Sequence, residues 1–200
     1  AEANAAPPSD RFRHLLFAGA ARADKGFTHV VDLAAHLAEQ GADLPLAVQT
    51  TGDHYGRYDA RTQADLARLR ALGYAHLTTV DATPDRLAYA RLFTGSICLQ
   101  PYDRGEYADK TSSVTFDALM AGAPIITLSG TPMARIVADS GAGIVVDDAQ
   151  PQTLHAAAET IRAEYARYAV RALAAGAQFD PARAWRPLVE ALRRAVARSG

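Results

Sequence analysis

Cysteine is nearly absent from this chain: Cys98 is the only one among 200 residues, so no disulfide can form within it. Cys98 lies in the apolar run SICLQ, which favours a buried strand thiol over a nucleophile. The net charge of −1 excludes the strongly basic surface typical of nucleic-acid binding. No apolar run approaches the roughly 20 residues that a transmembrane helix needs.

Signals for metal binding and secretion are also missing. The six histidines are scattered, so no group of them has the spacing of a metal site. The N-terminal sequence AEANAAPPSD lacks the charged and apolar regions of a signal peptide, and it predicts a flexible tail or linker over residues 1–12. With 49% apolar residues, the chain can build one large domain or one lobe of a two-lobed protein.

From residue 13 onward, short apolar runs alternate with helical patterns. This alternation predicts an α/β domain over 13–200, with a Rossmann-like parallel sheet of about six strands and helices on both faces. The predicted strands are 14–20, 44–50, 76–80, 96–101, 124–130 and 143–148. From Pro151 the chain is predicted to be helical, except around 176–181, with a last helix at about 181–198.

Ligands of such sheets bind beyond the carboxyl ends of the strands. This rule selects the loops 18–26, 51–58, 101–113 and 129–133. In the first loop, Gly19 and Ala20 allow close approach to the backbone, while Arg22 and Lys25 supply positive charge suited to a diphosphate. The loop is neither a GxGxxG fingerprint nor a P-loop, and an ordinary polar turn is the alternative.

The third of these loops leads into the sequence ADKTSSVTFDALMAGAPII. Its acids Asp109 and Asp117 are eight positions apart, which predicts that they lie on one side of a helix. Ser112 or Ser113 can cap this helix. Carboxylates accept from sugar hydroxyls and helix N-termini attract phosphate, so the pattern suits a phosphorylated sugar. In the alternative, Asp109 and Lys110 form a capping and surface pair and Asp117 is solvated.

Together the two regions resemble the C-terminal, donor-binding lobe of GT-B fold retaining glycosyltransferases, in particular the GT4-like group. Such lobes carry Gly, Arg and Lys-Gly near their start, similar to Gly19, Arg22, Lys25 and Gly26. They also carry two Glu separated by seven residues and followed by a small, Gly- and Pro-containing stretch, similar to the segment 109–124. GDHYG (52–56) looks like their glycine turn after the second strand.

The resemblance implies a role for each matching residue. Arg22, Lys25 and Asp109 would act at the reacting centre, the first two on the donor diphosphate and Asp109 on the transferred sugar. Asp117 would accept from the ribose hydroxyls. The other implied donor-binding residues are Gly19 and Ala20, Val80 and Asp81 near the base, and Lys110, Thr111, Ser112 and Ser113 near the phosphates.

The chain departs from the family pattern at two places. Both motif acids are Asp where the family has Glu, which shortens each side chain by one methylene. Thr-Ser-Ser (111–113) replaces the usual Gly-Phe-Gly, so hydroxyl groups stand where the family offers bare backbone to the phosphates.

The activity implied by the resemblance is transfer of a sugar from a nucleotide diphosphate sugar to a hydroxyl acceptor, with retention. No metal and no cofactor beyond the donor substrate is expected. The partner would be an N-terminal acceptor-binding lobe, which this chain lacks, so the chain alone should bind nucleotide but transfer little. High Ala and Arg content suggests a GC-rich bacterium, hence a cytoplasmic enzyme of polysaccharide biosynthesis, with peripheral membrane association through the missing lobe.

Two other hypotheses stay open. An isomerase lobe similar to the UDP-sugar 2-epimerases has the same architecture, although the extra acids and His of those enzymes have no obvious match here. A non-catalytic GT-B-like module for assembly is favoured by the Asp-for-Glu changes and opposed by the presence of Arg22 and Lys25.

Overall fold

The structure is a computed structural model, and it describes residues 9–51, 56 and 58–179. Six parallel strands form one sheet in the order β3-β2-β1-β4-β5-β6. The strands are His14–Phe17 (β1), Leu46–Gln49 (β2), Leu77–Val80 (β3), Ser96–Gln100 (β4), Ile125–Leu128 (β5) and Gly143–Val146 (β6). The predicted fold class is confirmed, and each predicted strand is present with somewhat narrower bounds.

Seven α-helices and a short 3₁₀ turn, Ala23–Lys25, connect and cover the described strands. The helices are Phe27–Glu39 (α1), Ala60–Ala71 (α2), Arg86–Leu92 (α3), Ser113–Met120 (α4), Pro132–Ser140 (α5), Pro151–Ala163 (α6) and Tyr165–Gly176 (α7). Residues 1–8 of the predicted tail, most of the GDHYG turn and the predicted last helix lie outside the described residues.

Successive strand residues point to opposite faces of the sheet and build two cores. Leu15 and Phe17 join the core beneath α1, α2 and α6, whereas Leu16 joins the core beneath α3, α4 and α5. Cys98 is fully buried in the second core, as predicted, and burial raises the pKa of its thiol to about 12. A thiol with that pKa is protonated at neutral pH, so Cys98 is not a poised nucleophile.

Helix α7 is shared by both cores. Tyr165 and Tyr168 belong to the first core, and Ala172 and Ala175 belong to the second. The hydroxyl of Tyr165 donates to the carbonyl of Ser96 at the start of β4 (3.0 Å). The backbone breaks at Glu164 (φ −121°, ψ 33°), a break that the helical pattern after Pro151 did not predict. It allows α7 to leave the line of α6 and pack against α4.

The strand order reverses between β1 and β4, which are neighbours in the sheet although two strands, β2 and β3, separate them in sequence. At such a switch point, the loops after the two central strands diverge and leave a crevice. The loops after β1 and β4 are the ones that carry most of the predicted site residues. The topology therefore brings the two sequence motifs to one place.

The prediction that Asp109 and Asp117 share a helix is wrong. Helix α4 begins at Ser113, and Asp109 lies in the loop before it. Tyr102 and Tyr107 bury their rings, and their centroids are 4.7 Å apart. These contacts hold the loop in its own compact conformation, so helical geometry starts only after Ser112.

Gly26 packs directly against Pro101, so it joins the loops after β1 and β4. It adopts φ +72°, a left-handed conformation that favours glycine. A Cβ built on Gly26 would lie 1.9 Å from the carbonyl oxygen of Pro101, which is backbone and cannot rotate away. Glycine is therefore required here both for the conformation and for the space.

We expect Gly26→Ala to lower the free energy of unfolding by more than about 3 kcal/mol, because it combines a backbone clash with left-handed strain. Gly41→Ala is the matched control: Gly41 has φ +57°, and no atom lies within 4 Å of its built Cβ. The control should lose only the strain energy of about 1–2 kcal/mol. Urea unfolding of both variants measures the difference in the free energy of unfolding. Equal losses in the two variants would show that the backbone at Pro101 can move away from the added Cβ.

Candidate functional site

The loops after β1 and β4 form the walls of a cleft of about 490 Å³. They are joined by the Gly26–Pro101 contact and by a hydrogen bond from the Asp103 N–H to the Asp24 carbonyl (2.9 Å). The residues lining the cleft are Arg22, Asp24, Glu106, Tyr107, Lys110 and Thr111. Three of these, Arg22, Lys110 and Thr111, were predicted from the sequence.

Lys25 is not among the residues that line the cleft, and it lies against Gly19. A Cβ built on Gly19 would be 2.8 Å from the Lys25 Nζ and 3.6 Å from Val114, the second residue of α4. The Nζ is also 5.8 Å from the centre of the Tyr102 ring. The two predicted motifs therefore meet at the Lys25 ammonium.

The Lys25 ammonium has no carboxylate within ion-pair distance among the described residues. Burial lowers the pKa of Lys25, and the nearby charge of Arg22 lowers it further, with Asp24 acting weakly in the opposite direction. A half-buried cation without an ionic partner carries a desolvation cost that a bound anion would offset.

The N-terminus of α4 faces the same region. Ser112 occupies the N-cap position in an extended conformation, but its side chain makes no capping hydrogen bond. Within the described part of the chain, no acceptor engages the backbone N–H groups of Ser113 and Val114. Free N–H groups at a helix start, together with the helix dipole, favour an anion.

Two buried glutamines fix these elements. The Gln49 side-chain carbonyl accepts from the N–H of Gly19 (2.7 Å), which ties the loop after β1 to β2. The Gln100 side-chain carbonyl accepts from the Thr115 hydroxyl (2.9 Å), which ties the first turn of α4 to the end of β4. The N–H of Gly19 donates to Gln49, so it is not available to a phosphate. The sequence had predicted that a phosphate could approach the backbone at Gly19.

Arg22 is already paired. Its Nε donates to the Asp24 carboxylate (2.8 Å), and its Nη2 makes a second bond to the other carboxylate oxygen. The hydrogen bond to Asp24 is the main reason that the pKa of Arg22 is raised. Tyr107 stands beside the guanidinium. Asp24 occupies two of the five N–H donors of the guanidinium, so Arg22 can meet a diphosphate only with those that remain.

Asp117 is half-buried and has an internal partner that the sequence did not reveal. The Tyr89 hydroxyl, from α3, donates to the Asp117 carboxylate (3.1 Å). Burial raises the pKa of Asp117, and the Tyr89 hydrogen bond partly opposes this rise. The second carboxylate oxygen is left for another donor. Tyr89 lies 28 positions before Asp117, and no motif spacing pointed to it.

The remaining predicted residues lie at the edge of the site. Asp109 is exposed, is not among the residues lining the cleft, and makes no hydrogen bond or ion pair with any described residue. Lys110 is exposed and pairs with Glu106 (3.4 Å) instead of with Asp109. Thr111 and Ser113 are exposed, and Ser112 is buried.

Val80 and Asp81 end β3, two strands away from β1. Asp81 accepts from the hydroxyls of Thr50 (2.7 Å) and Thr79 (3.2 Å), and Arg70 lies at 3.5 Å. The Thr50 hydrogen bond is the main reason that the pKa of Asp81 is lowered. The Asp81 carboxylate is thus fixed at the same edge of the sheet as the cleft, but to one side of it.

Within residues 9–51, 56 and 58–179, no group of three or more His, Cys, Asp or Glu side chains is placed to hold a metal ion. In the same part of the chain, every helix is too short or too polar to cross a membrane.

No protein-family model matches this sequence, and no curated protein matches it by sequence. Solved structures do match its fold. Sucrose-phosphate synthase from Thermosynechococcus elongatus aligns with a TM-score of 0.70 and 16% identity over 96% of this chain and 47% of its own. HepE from Anabaena, in complex with UDP, aligns with a TM-score of 0.67 and 16% identity over 92% of this chain and 49% of its own.

A third match is a separate lobe. The C-terminal domain of the group 1 glycosyltransferase LpcC from Francisella tularensis aligns with a TM-score of 0.65 and 12% identity, over 84% of this chain and 86% of its own. The chain thus spans about half the length of the sucrose-phosphate synthase and most of an isolated C-terminal domain. At these identities the matches show the fold alone, which is the architecture of a GT-B C-terminal lobe.

We expect Lys25→Met to stabilise the unliganded chain. The pKa of Lys25 is lower in the folded state than its ordinary value of 10.5, so the folded state binds the proton less tightly than the unfolded state. The cost of the charged group is therefore fully present at neutral pH, and it fades as pH rises through the folded pKa towards 10.5. Methionine fills similar space without the charge.

The expected gain at pH 7 is about 1 kcal/mol, or about 2–4 °C in Tm for a domain of this size. Thermal unfolding at pH 7 and pH 10 measures it, and the gain should shrink at the higher pH. Lys110→Met is the control, because Lys110 is exposed. A loss of stability in Lys25→Met would show that the ammonium is satisfied in a way that the structure does not show.

We expect Tyr89→Phe to raise the pKa of Asp117, because it removes the hydrogen bond that favours the carboxylate. The variant should therefore lose stability as pH rises above the ordinary carboxyl range, where Asp117 must ionise. Carboxyl-carbon NMR titration of Asp117 measures the shift. Tyr74→Phe also removes a tyrosine hydroxyl, one bonded to the Leu44 carbonyl, and it should leave the Asp117 titration unchanged.

Proposed function

We propose that this chain is the donor-binding lobe of a glycosyltransferase that transfers a sugar from a nucleotide diphosphate sugar to a hydroxyl acceptor, with retention. One observation carries the proposal: the half-buried Lys25 ammonium lies against Gly19 and the open N-terminus of α4, and no described carboxylate pairs with it. This arrangement has the chemistry of a phosphate site at the switch point of a parallel sheet.

In this proposal the diphosphate lies between Lys25 and the first N–H groups of α4. An ammonium and two backbone donors then meet its negative charge, and the phosphates offset the burial cost of Lys25. Arg22 contributes a further cation through the N–H groups that Asp24 does not use. Asp117 accepts from a ribose hydroxyl through the carboxylate oxygen that Tyr89 does not use, and Val80 and Asp81 lie on the side where the base would extend.

The chemical task of this lobe is to stabilise the leaving group. Negative charge grows on the departing diphosphate while the anomeric carbon becomes positively charged. Fixed donors aimed at that charge lower the barrier, and loss of one such donor costs about 3 kcal/mol by analogy with oxyanion holes. The donor phosphate would take the proton of the acceptor hydroxyl, so the lobe needs no general base of its own.

The acceptor site belongs to a second lobe in this proposal. The chain covers only 47% and 49% of two of the matched structures, which is the share expected for one lobe of two. The complete enzyme would close over the donor between its lobes. Its placement at the inner face of a bacterial membrane, in polysaccharide synthesis, is part of the proposal and depends on that second lobe. The sugar contact predicted for Asp109 remains a prediction, because its side chain lies outside the cleft lining.

Calorimetric titration with UDP, GDP and ADP, without added metal, tests donor binding. We expect saturable binding of at least one nucleotide. Lys25→Met should weaken it 10- to 100-fold, the effect of losing a charge-assisted hydrogen bond of about 1.5–3 kcal/mol. Lys110→Met removes an exposed lysine of the same region and should weaken binding by less than about threefold.

Equal effects of the two variants would contradict the phosphate role of Lys25. Absence of binding for all three nucleotides, in a chain that unfolds cooperatively, would favour the non-catalytic assembly module. Binding of UDP alone, together with conversion of a UDP-sugar into the UDP-sugar of its 2-epimer, would favour the isomerase.

A further inference from the structure

The cleft between the loops after β1 and β4 has a balanced charge. Its lining contains two cations and two acids, and each cation pairs with one acid. Arg22 holds Asp24 through two hydrogen bonds, and Lys110 lies 3.4 Å from Glu106. The cleft therefore differs from the region around Lys25, whose ammonium has no such partner in the described residues.

The two ion pairs determine which ligand can bind in the cleft with little loss of free energy. A carboxylate or phosphate in this cleft would compete with Asp24 for Arg22, and it would lie beside the negative charges of Asp24 and Glu106. Like charges held close together in a partly desolvated site repel each other strongly. An uncharged group that both donates and accepts hydrogen bonds can bind without breaking either pair.

The lining also offers the groups that a polyol needs. Asp24 and Glu106 accept hydrogen bonds, Arg22 and Lys110 donate them, and the Tyr107 and Thr111 hydroxyls do both. Tyr107 is 7% exposed and its ring is held against Tyr102, so it is a rigid wall. The volume of about 490 Å³ is within the range of small-molecule sites.

We propose that this cleft binds an uncharged sugar ring, the transferred sugar of the donor, with Asp24 and Glu106 as its hydroxyl acceptors. The proposal rests on the proposed donor-binding function. It moves the sugar contact from Asp109 to two acids that the sequence did not single out, and it specifies a neutral hexose instead of a hexuronate. Arg22 then orients Asp24 and reaches the boundary between sugar and phosphate.

The experiment compares each nucleoside diphosphate with its sugar derivatives on the 200-residue chain. The probes are UDP, UDP-glucose, UDP-galactose and UDP-glucuronate, with GDP and GDP-mannose, or ADP and ADP-glucose, if another base is preferred. We expect a neutral sugar to improve affinity over the diphosphate about 5- to 10-fold. The hexuronate should bind at least 10-fold more weakly than the neutral sugar.

Asp24→Asn and Glu106→Gln should each remove most of the gain from the neutral sugar. Glu106→Gln should leave the affinity for the nucleoside diphosphate within about twofold. Asp24→Asn also releases Arg22, so it should improve hexuronate binding relative to hexose. Glu39→Gln, an exposed change in the last turn of α1, is the control and should alter neither ratio. Asp109→Asn tests the competing assignment, in which Asp109 contacts the sugar.

Loss of the sugar gain in Asp109→Asn, with no change in Asp24→Asn and Glu106→Gln, would overturn the assignment. Tighter binding of the hexuronate by the unmodified chain would overturn the charge argument. If no nucleotide binds, the proposed function fails, and saturation-transfer NMR with methyl glucopyranoside and with glucuronate tests the cleft alone. Saturation transfer to methyl glucopyranoside that is lost in Glu106→Gln would then support the proposal that the cleft binds a neutral sugar. Absence of saturation transfer would overturn that proposal.

Discussion

The contact of Gly26 with the carbonyl of Pro101 is the constraint on which the candidate site depends. The loop after β1 can approach the loop after β4 this closely only because residue 26 has no side chain and adopts a left-handed conformation. The contact places Lys25, the residue before it, against the start of α4. Gly26 also begins α1, so the same residue sets the direction of a helix that covers one core.

Two kinds of positive charge lie side by side in this small region. Arg22 and Lys110 are neutralised by acids of their own loops, whereas Lys25 relies on its surroundings and carries a lowered pKa. Paired charges hold their positions in the free protein and recognise polar, uncharged groups. An unpaired charge destabilises the free protein and is relieved by an anionic ligand. If the proposed function holds, this difference would let one crevice treat the two ends of a sugar diphosphate differently.

The sequence predicted the layers of the fold well because alternating strand and helix patterns leave few topologies for a parallel sheet. Two of the loops that it selected do lie together, since Gly19, Lys25 and the start of α4 converge. It placed Asp109 wrongly because a period of 3.6 was extended into a loop whose shape depends on the burial of two tyrosines, Tyr102 and Tyr107. Such packing is a tertiary effect that spacing does not show.

Helix α7 supplies the closing surface of both cores and holds the start of β4 through the hydroxyl of Tyr165. During synthesis, the six strands and the helices between them leave the ribosome before this helix does. Until α7 emerges, Ala118 and Leu119 of α4 and the first core around Ile161 lack part of their cover. Folding of this domain should therefore be completed only after α7 has emerged, with the nascent chain exposed to chaperones and aggregation until then.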